Sequence, residues 1–360
     1  MKKSFLLVVA LCCGLTPLFA QEETKTVSKP DSHAPIGVMG DHQHKKGELM
    51  LSYRYMRMTM KDNLVDSDDI SPETIVTTIP NRFFGMPGMP PTLRVVPVEM
   101  TMDMHMIGAM YAPSDKVTLM LMGMIVTNDM DHITFQGGMG TNQLGVFTTS
   151  ASGFGDTRLS ALISLSKKEN TRIHANVGLS IPTGSITETD DILTPMNMQP
   201  TVRIPYPMQL GSGTWDFLPG ITYSGNRDKL GWGTQVMGNL RLGENDEGYT
   251  LGNRYELSTW VSYRLADWIS GSFRLIGSSV GKIDGQDANI MAPVQTADPD
   301  FQGGTRVDTS FGLNLIGTKG FLTNQRLALE LALPVVQDLN GPQLKTTSIL
   351  TIGWQHTLID

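Results

Sequence analysis

The sequence predicts an all-β fold: a transmembrane, antiparallel up-and-down β-barrel of about 12 strands, with long extracellular loops and short periplasmic turns. Many segments alternate apolar and polar residues with period two, which is typical of strands with lipid on one face and water on the other. Long excursions rich in glycine and proline alternate with tight turns, as in barrels of the bacterial outer membrane. No run of about 20 apolar residues occurs, which excludes a helical membrane protein.

The two ends of the chain differ from the repeating middle. Residues 1–20 are predicted to be a signal peptide, because two lysines precede a short apolar run and a small residue suited to cleavage. Cys12 and Cys13 are the two cysteines of the chain and lie within this segment, so we expect a mature protein without thiols. Residues 21–46 are polar and lack periodicity, and we interpret them as an irregular periplasmic N-terminal segment. The outer-membrane barrel is predicted over residues 47–360.

The clearest hairpin runs from Val98 to Phe135. In its first strand five methionines alternate with polar and ionisable residues, and we expect the methionines to face lipid and the ionisable residues to face the lumen. The second strand places Val117, Leu119 and Leu121 on one face and a row of methionines on the other, which we expect to face inward.

Charged residues opposite the apolar rows are expected to line the lumen. They can pair with one another and brace a closed, structural barrel, or they can form a polar conduit whose arginines select anionic or polar solutes. The candidates are Arg54, Glu99, Asp103, Arg158, Arg172, Asp216, Arg241, Arg254, Glu256, Arg264, Arg274, Arg306, Asp308, Arg326 and Glu330.

Methionine is unusually concentrated, since 17 of the 23 methionines lie between Met39 and Met139. Thioether and imidazole ligands together suit a soft ion such as Cu(I), although methionine also serves as a plain, adaptable hydrophobe. The first candidate ligand set is Met56, Met58, His105, Met120, Met122 and Met124. A second set, Met39, His42 and His44, lies in the N-terminal segment, which can equally be a solvated tail. No other cofactor is expected.

Charge and motifs exclude several classes of function. A net charge of -7 argues against a nucleic-acid binder. No nucleophile elbow, zinc-protease motif or phosphate loop occurs, so we do not expect an enzyme. The expected partners are outer-membrane lipid, a small-molecule solute and, during insertion, the barrel assembly machinery.

Four stretches carry a resemblance to a known family: Gly40–His42 with Lys45–Glu48, Ser152–Asp156, Leu179–Gly184 and Tyr206–Gly213. Through them the chain resembles the MetA-pathway phenol-degradation family of outer-membrane barrels, in a methionine-rich branch. The resemblance implies a porin-like or transporter-like barrel that passes or binds small polar or aromatic compounds. The chain departs from the family pattern at its end, because Trp354 and Leu358 precede a final aspartate where such barrels commonly end in an aromatic residue.

Overall fold

The structure is a computed structural model and describes residues 29–359, so the predicted signal peptide lies outside the described residues. It contains seventeen strands: β1 Leu49–Asp66, β2 Asp68–Ile70, β3 Val95–Ser114, β4 Val117–Phe135, β5 Gln143–Phe154, β6 Thr157–Lys167, β7 Thr171–Ile181, β8 Thr189–Asp191, β9 Thr201–Arg203, β10 Trp215–Arg227, β11 Leu230–Leu242, β12 Tyr249–Thr250, β13 Arg254–Ala266, β14 Ile269–Val280, β15 Asp284–Gly285, β16 Gly304–Ile316 and β17 Gln325–Ile359.

One short α-helix, α1 Pro72–Thr78, lies in the first long loop. Ser71 precedes it as the N-cap residue, and its side chain accepts a hydrogen bond from the backbone N–H of Thr74 in the first turn. Within residues 29–359 no helix is long and apolar enough to cross a membrane. Single turns of 3-10 helix occur at Pro30–Ser32, Tyr206–Met208, Gln295–Ala297, Pro299–Phe301 and Gly320–Leu322.

The long strands form one antiparallel sheet that closes on itself, because β17 pairs with both β16 and β1. β17 is 35 residues long and turns back near Gly341, which has a φ of +88°. Its first half pairs with β16 and its second half mainly with β1. The closed barrel therefore has eleven strands, one of which, β17, crosses the wall twice, so twelve strand segments follow one another around the barrel. The predicted fold class is confirmed.

Short and long connections separate the two ends of the barrel. The turns β3–β4, β6–β7, β10–β11 and β13–β14 need only two or three residues, and we call their side the short-turn end. The connections β1–β3, β7–β10 and β14–β16 are long and lie at the opposite, long-loop end. Both described chain ends lie at the short-turn end, since Leu49 pairs with Ile359.

Side-chain burial alternates along the strands as the sequence predicts. In the first half of β17, Leu327, Leu329, Leu331 and Leu333 are each at least 40% exposed, whereas the residues between them are buried inside the barrel. A continuous outer row of exposed leucines fits a wall that faces lipid. The lumen receives the polar and charged residues.

The predicted orientation of β3 is wrong. Its even-numbered methionines face the lumen, where Met100 and Met106 are buried. Glu99, Asp103 and His105 lie on the outer face, together with Ile107. At 20 residues β3 is longer than a membrane crossing of 9–11 residues requires. Its outer face is therefore apolar only in the part near the short-turn end and carries ionisable groups beyond it.

Three of the stretches that carry the family resemblance meet where β5 and β6 join. Both strands pair with β4, but only β6 pairs with β7. Between them, the Asp156 carboxylate accepts hydrogen bonds from the backbone N–H of Gly184 at 3.0 Å and from the N–H and hydroxyl of Ser212 at 2.9 and 2.8 Å. A Cβ on Gly184 would lie 2.7 Å from Cα of Gly211, so this junction requires glycine. It fixes the direction in which the loop after β7 leaves the wall.

Candidate functional site

Three adjacent strands, β1, β3 and β4, present thirteen methionines to the lumen. We call this surface the methionine wall; its members are Met50, Met56, Met58, Met60, Met100, Met102, Met104, Met106, Met110, Met120, Met122, Met124 and Met130. The register places them in rows across the strands, because even-numbered residues pair with even-numbered residues. Met60, Met100 and Met130 form the row nearest the long-loop end.

Part of the methionine wall is accessible from within the barrel. Met56, Met58, Met102 and Met104 on β1 and β3 are only half-buried. Met102 and Met104 pack beside the buried cluster that contains Met100. The middle of the wall is thus an apolar, polarisable strip that a solute in the lumen could contact.

The segment before β1 lies inside the barrel at the short-turn end, and we call residues 29–48 the plug. The expectation of an irregular N-terminal segment did not include this placement, because the segment has no periodicity. The guanidinium of Arg326 donates to the carbonyl of Ala34, and the N–H of Gly37 donates to Glu330 at 2.7 Å. Near the rim, Arg264 pairs with Asp31 at 3.1 Å.

The plug also reaches the methionine wall. Arg54 of β1 donates to the sulfur of Met39 at 2.6 Å, and Gln235 of β11 donates to the carbonyl of Met39 at 2.9 Å. Between the plug and the wall is a cavity of about 20 Å³, enough for one water molecule or one ion. Six methionines line it: Met39, Met50, Met106, Met110, Met120 and Met122.

Most of the predicted lumen charges pair across the rest of the wall. Arg274 and Glu330 are buried, and Nη2 of Arg274 lies 2.5 Å from Oε1 of Glu330. Nη1 of Arg241 lies 2.5 Å from Oδ2 of Asp216. Arg306 pairs with Asp308 at 2.9 Å. In each of these pairs the opposite charge offsets the cost of removing a charged group from water.

The remaining predicted residues occupy the rims or the outer face. Arg158 points inward, whereas Arg172 is exposed near the short-turn end. Arg254 and Glu256 form a half-exposed pair at 3.0 Å. Three of them make contacts on the outer face. Glu99 forms an ion pair with Lys61 at 3.1 Å, and the Asp103 carboxylate accepts a hydrogen bond from the hydroxyl of Tyr55. Nδ1 of His105 forms a hydrogen bond with the hydroxyl of Tyr53. His105 therefore cannot join the lumen methionines in one ligand set, and this part of the metal prediction is wrong.

The long-loop end is covered by the connection between β7 and β10. Ile204, Met208 and Leu210 of this loop are buried against the methionine wall. The carbonyl of Pro207 accepts a hydrogen bond from the amide of Asn128 on β4 at 3.4 Å. The loop thus covers the end of the methionine wall that lies opposite the plug.

Other long loops hold this cover in place. Arg203 pairs with Asp287 at 2.8 Å and with Glu247 at 2.6 Å, which joins three loops through one guanidinium. The ring of Tyr206 lies 4.9 Å from that of Tyr249, and burial raises the pKa of Tyr206 to about 12. Both tyrosines therefore remain neutral over the physiological range of pH.

Comparisons with known proteins find one matching family and several structures of similar fold. The family model described as the MetA-pathway of phenol degradation matches residues 121–318. An outer membrane channel from Pseudomonas putida F1 is similar in structure, with a TM-score of 0.56, 16% sequence identity, and coverage of 89% of this chain and 98% of that one. A Pseudomonas aeruginosa FadL homologue has a TM-score of 0.43 at 8% identity, covering 86% of this chain and 90% of that one. The P. putida toluene transporter TodX has a TM-score of 0.42 at 8% identity, covering 88% of this chain and 91% of that one. No curated protein matches the sequence.

Proposed function

Because this chain belongs to the family described as the MetA-pathway of phenol degradation, we propose that it is an outer-membrane channel for small, weakly polar compounds, aromatic ones included. The observation that carries the proposal is the methionine wall, which runs along the lumen from the plug to the loop that covers the opposite end. In this proposal the long loops face the outside of the cell and the short turns and plug face the periplasm.

The chemistry of the wall suits passage better than tight binding. Contacts between a thioether and an aromatic ring contribute only about 0.3–1.5 kcal/mol each, and methionine adapts to ligands of different shape. Conduction requires sites that a solute can enter and also leave, and a row of weak, similar sites meets that requirement. The arginines of the other walls are mostly paired, which favours bracing over selection of anions.

We expect proteoliposomes to take up phenylalanine faster than a hexose of similar mass. Replacing Met56, Met102 and Met104 by glutamine keeps the length of the side chains but removes their apolar, polarisable sulfur. This triple variant should lose the preference for the aromatic solute. Uptake is measured as the swelling rate of liposomes in isosmotic solutions of each compound.

The matched control is Met139→Gln, since Met139 lies in a loop and is 78% exposed. The control should keep the native preference. An unchanged preference in the triple variant, with native swelling rates, would contradict a role for the methionine wall in solute selection.

A second candidate function is the handling of Cu(I), which the six-methionine cavity beside the plug favours. Thioether sulfur is a soft ligand that selects Cu(I), and a cavity of about 20 Å³ accommodates a single ion. Met120 and Met122 line this cavity, and Met124 lies on the same face of β4.

We expect leucine at Met120, Met122 and Met124 to abolish Cu(I) binding while the barrel stays folded, because leucine keeps the volume but removes the sulfur. Binding is measured under reducing conditions against a competing chelator. Leucine at Met196 and Met198, two exposed loop positions, is the matched control and should leave binding unchanged. Equal Cu(I) affinity in the native protein and the triple variant would remove these methionines as ligands.

A further inference from the structure

A cluster of imidazole and carboxylate groups lies within the plug, and its carboxylate, Asp41, also lines the six-methionine cavity. One ligand atom each of His33, Asp41 and His42 can be chosen so that all lie within 4.8 Å of one another. The rings of His33 and His42 are 4.9 Å apart, and Nδ1 of His42 lies 2.8 Å from the Asp41 carboxylate. Ligands about 2.0–2.2 Å from one tetrahedral ion lie about 3.3–3.6 Å apart, so the widest separation must close by roughly 1 Å when an ion binds.

The surrounding contacts fix the carboxylate at the centre of the cluster. The second oxygen of Asp41 accepts from the backbone N–H of Ala34 at 3.0 Å. The preceding residue, Gly40, has a φ of +59°. Its carbonyl accepts a hydrogen bond from Nε2 of His174 on β7 at 2.9 Å. Such outer contacts orient ligands and are typical of built metal sites.

Two arginines lie near the cluster, and the hydrogen bonds of their guanidinium groups go to other residues. Arg54 donates to the sulfur of Met39, and Arg326 donates to Ala34, Asn314 and Gln355, so neither guanidinium occupies the Asp41 carboxylate. The ring of His44 lies 4.9 Å from that of His42, and its buried Nε2 has no hydrogen-bond partner. His44 therefore lies beside the cluster, outside the three groups that approach within 4.8 Å of one another.

We propose that His33, Asp41 and His42 form a site for a divalent first-row transition metal ion that takes no ligand from the methionine wall. Imidazole and carboxylate ligands bind Cu(II) and Zn(II), and the usual order of affinities makes Cu(II) the tighter of the two. The ion joins residues on both sides of the segment Ala34–Gly40, which carries the contacts of the plug to Arg326 and Glu330. Metal binding therefore links the two ends of this segment to each other.

The test is a titration of untagged, detergent-solubilised protein with Cu(II) against a competing chelator. The expected result is one saturable site whose electron paramagnetic resonance spectrum shows coupling to imidazole nitrogen. The double variant His33→Asn/His42→Gln should bind Cu(II) at least about tenfold more weakly. His105→Gln removes an exposed imidazole from the outer face and should bind like the native protein, as should the Met120, Met122 and Met124 leucine variant.

Folding of each variant is checked by its heat-dependent shift in gel mobility. If the double variant does not fold, His42→Gln alone is used, since this ring is partly accessible and its loss leaves no large cavity. Native affinity in a folded variant, or a spectrum without nitrogen coupling, would overturn the proposal. Loss of Cu(II) binding in the methionine-wall variant would overturn the claim that the wall supplies no ligand.

Discussion

Replacing Glu330 by alanine is expected to destabilise the barrel by roughly 3–5 kcal/mol. Glu330 is 1% exposed and accepts hydrogen bonds from Nε and Nη2 of Arg274 at 2.9 and 2.5 Å, from the hydroxyl of Ser310 at 2.8 Å and from the N–H of Gly37 at 2.7 Å. Its loss leaves the buried guanidinium of Arg274 without a counter-charge and removes a contact that holds the plug.

The measurement is the free energy of unfolding in urea, followed by tryptophan fluorescence in detergent micelles. Glu256→Ala is the matched control, because the pair between Glu256 and Arg254 is half-exposed and an exposed ion pair contributes at most about 1 kcal/mol. Limited proteolysis should also cleave the plug faster in the Glu330 variant. Equal unfolding free energies for the two variants would contradict the bracing role of Glu330.

Period-two alternation was sufficient to predict the barrel because most strands have one face in lipid and one in the lumen. In β17 the leucines from Leu327 to Leu333 alternate with Arg326, Ala328 and Glu330, and a shift of one residue would place both charges in lipid. The alternation of loop lengths was equally informative, since tight turns can occur only where successive strands are neighbours.

The same reasoning failed for β3 because both of its faces depart from the usual rule. Its lumen face is apolar, since it consists of methionine, and much of its outer face carries groups such as Glu99 and Asp103. Pairing between strands shows the orientation, because Met58 of β1, which faces the lumen, lies opposite Met102. Register of this kind depends on contacts between strands and cannot be read from one strand alone.

The plug could not be predicted because its position depends on contacts distant in the sequence. Gly37 meets Glu330, 293 residues away, and Ala34 meets Arg326, 292 residues away. The segment itself is polar and irregular, which is equally typical of an exposed tail. Only the closed barrel provides the buried partners that make it an ordered element.

The plug lies inside the lumen, so we expect that it must move before a solute can pass and that locking it to the wall abolishes conductance. Ile36 of the plug is 1% exposed and lies against the second half of β17, where a Cβ built on Gly353 would be 2.5 Å from Cγ1 of Ile36. Cysteine in place of Ile36 puts its sulfur near the position of Cγ1, and cysteine in place of Gly353 adds a second sulfur beside it. The two residues are then within reach of a disulfide. The predicted mature chain has no other cysteine, so the bond has no competing partner.

The account requires that the barrel conducts and that the plug must move for it to do so. Planar-bilayer recording of the Ile36→Cys/Gly353→Cys variant tests both requirements, with each single variant as a control. The account predicts discrete conductance in the reduced protein, none after oxidation, and recovery when a reductant is added. Equal conductance in the oxidised and reduced forms, with the disulfide verified by mass spectrometry, would contradict gating by the plug, and no conductance in either form or in the native protein would contradict the channel itself.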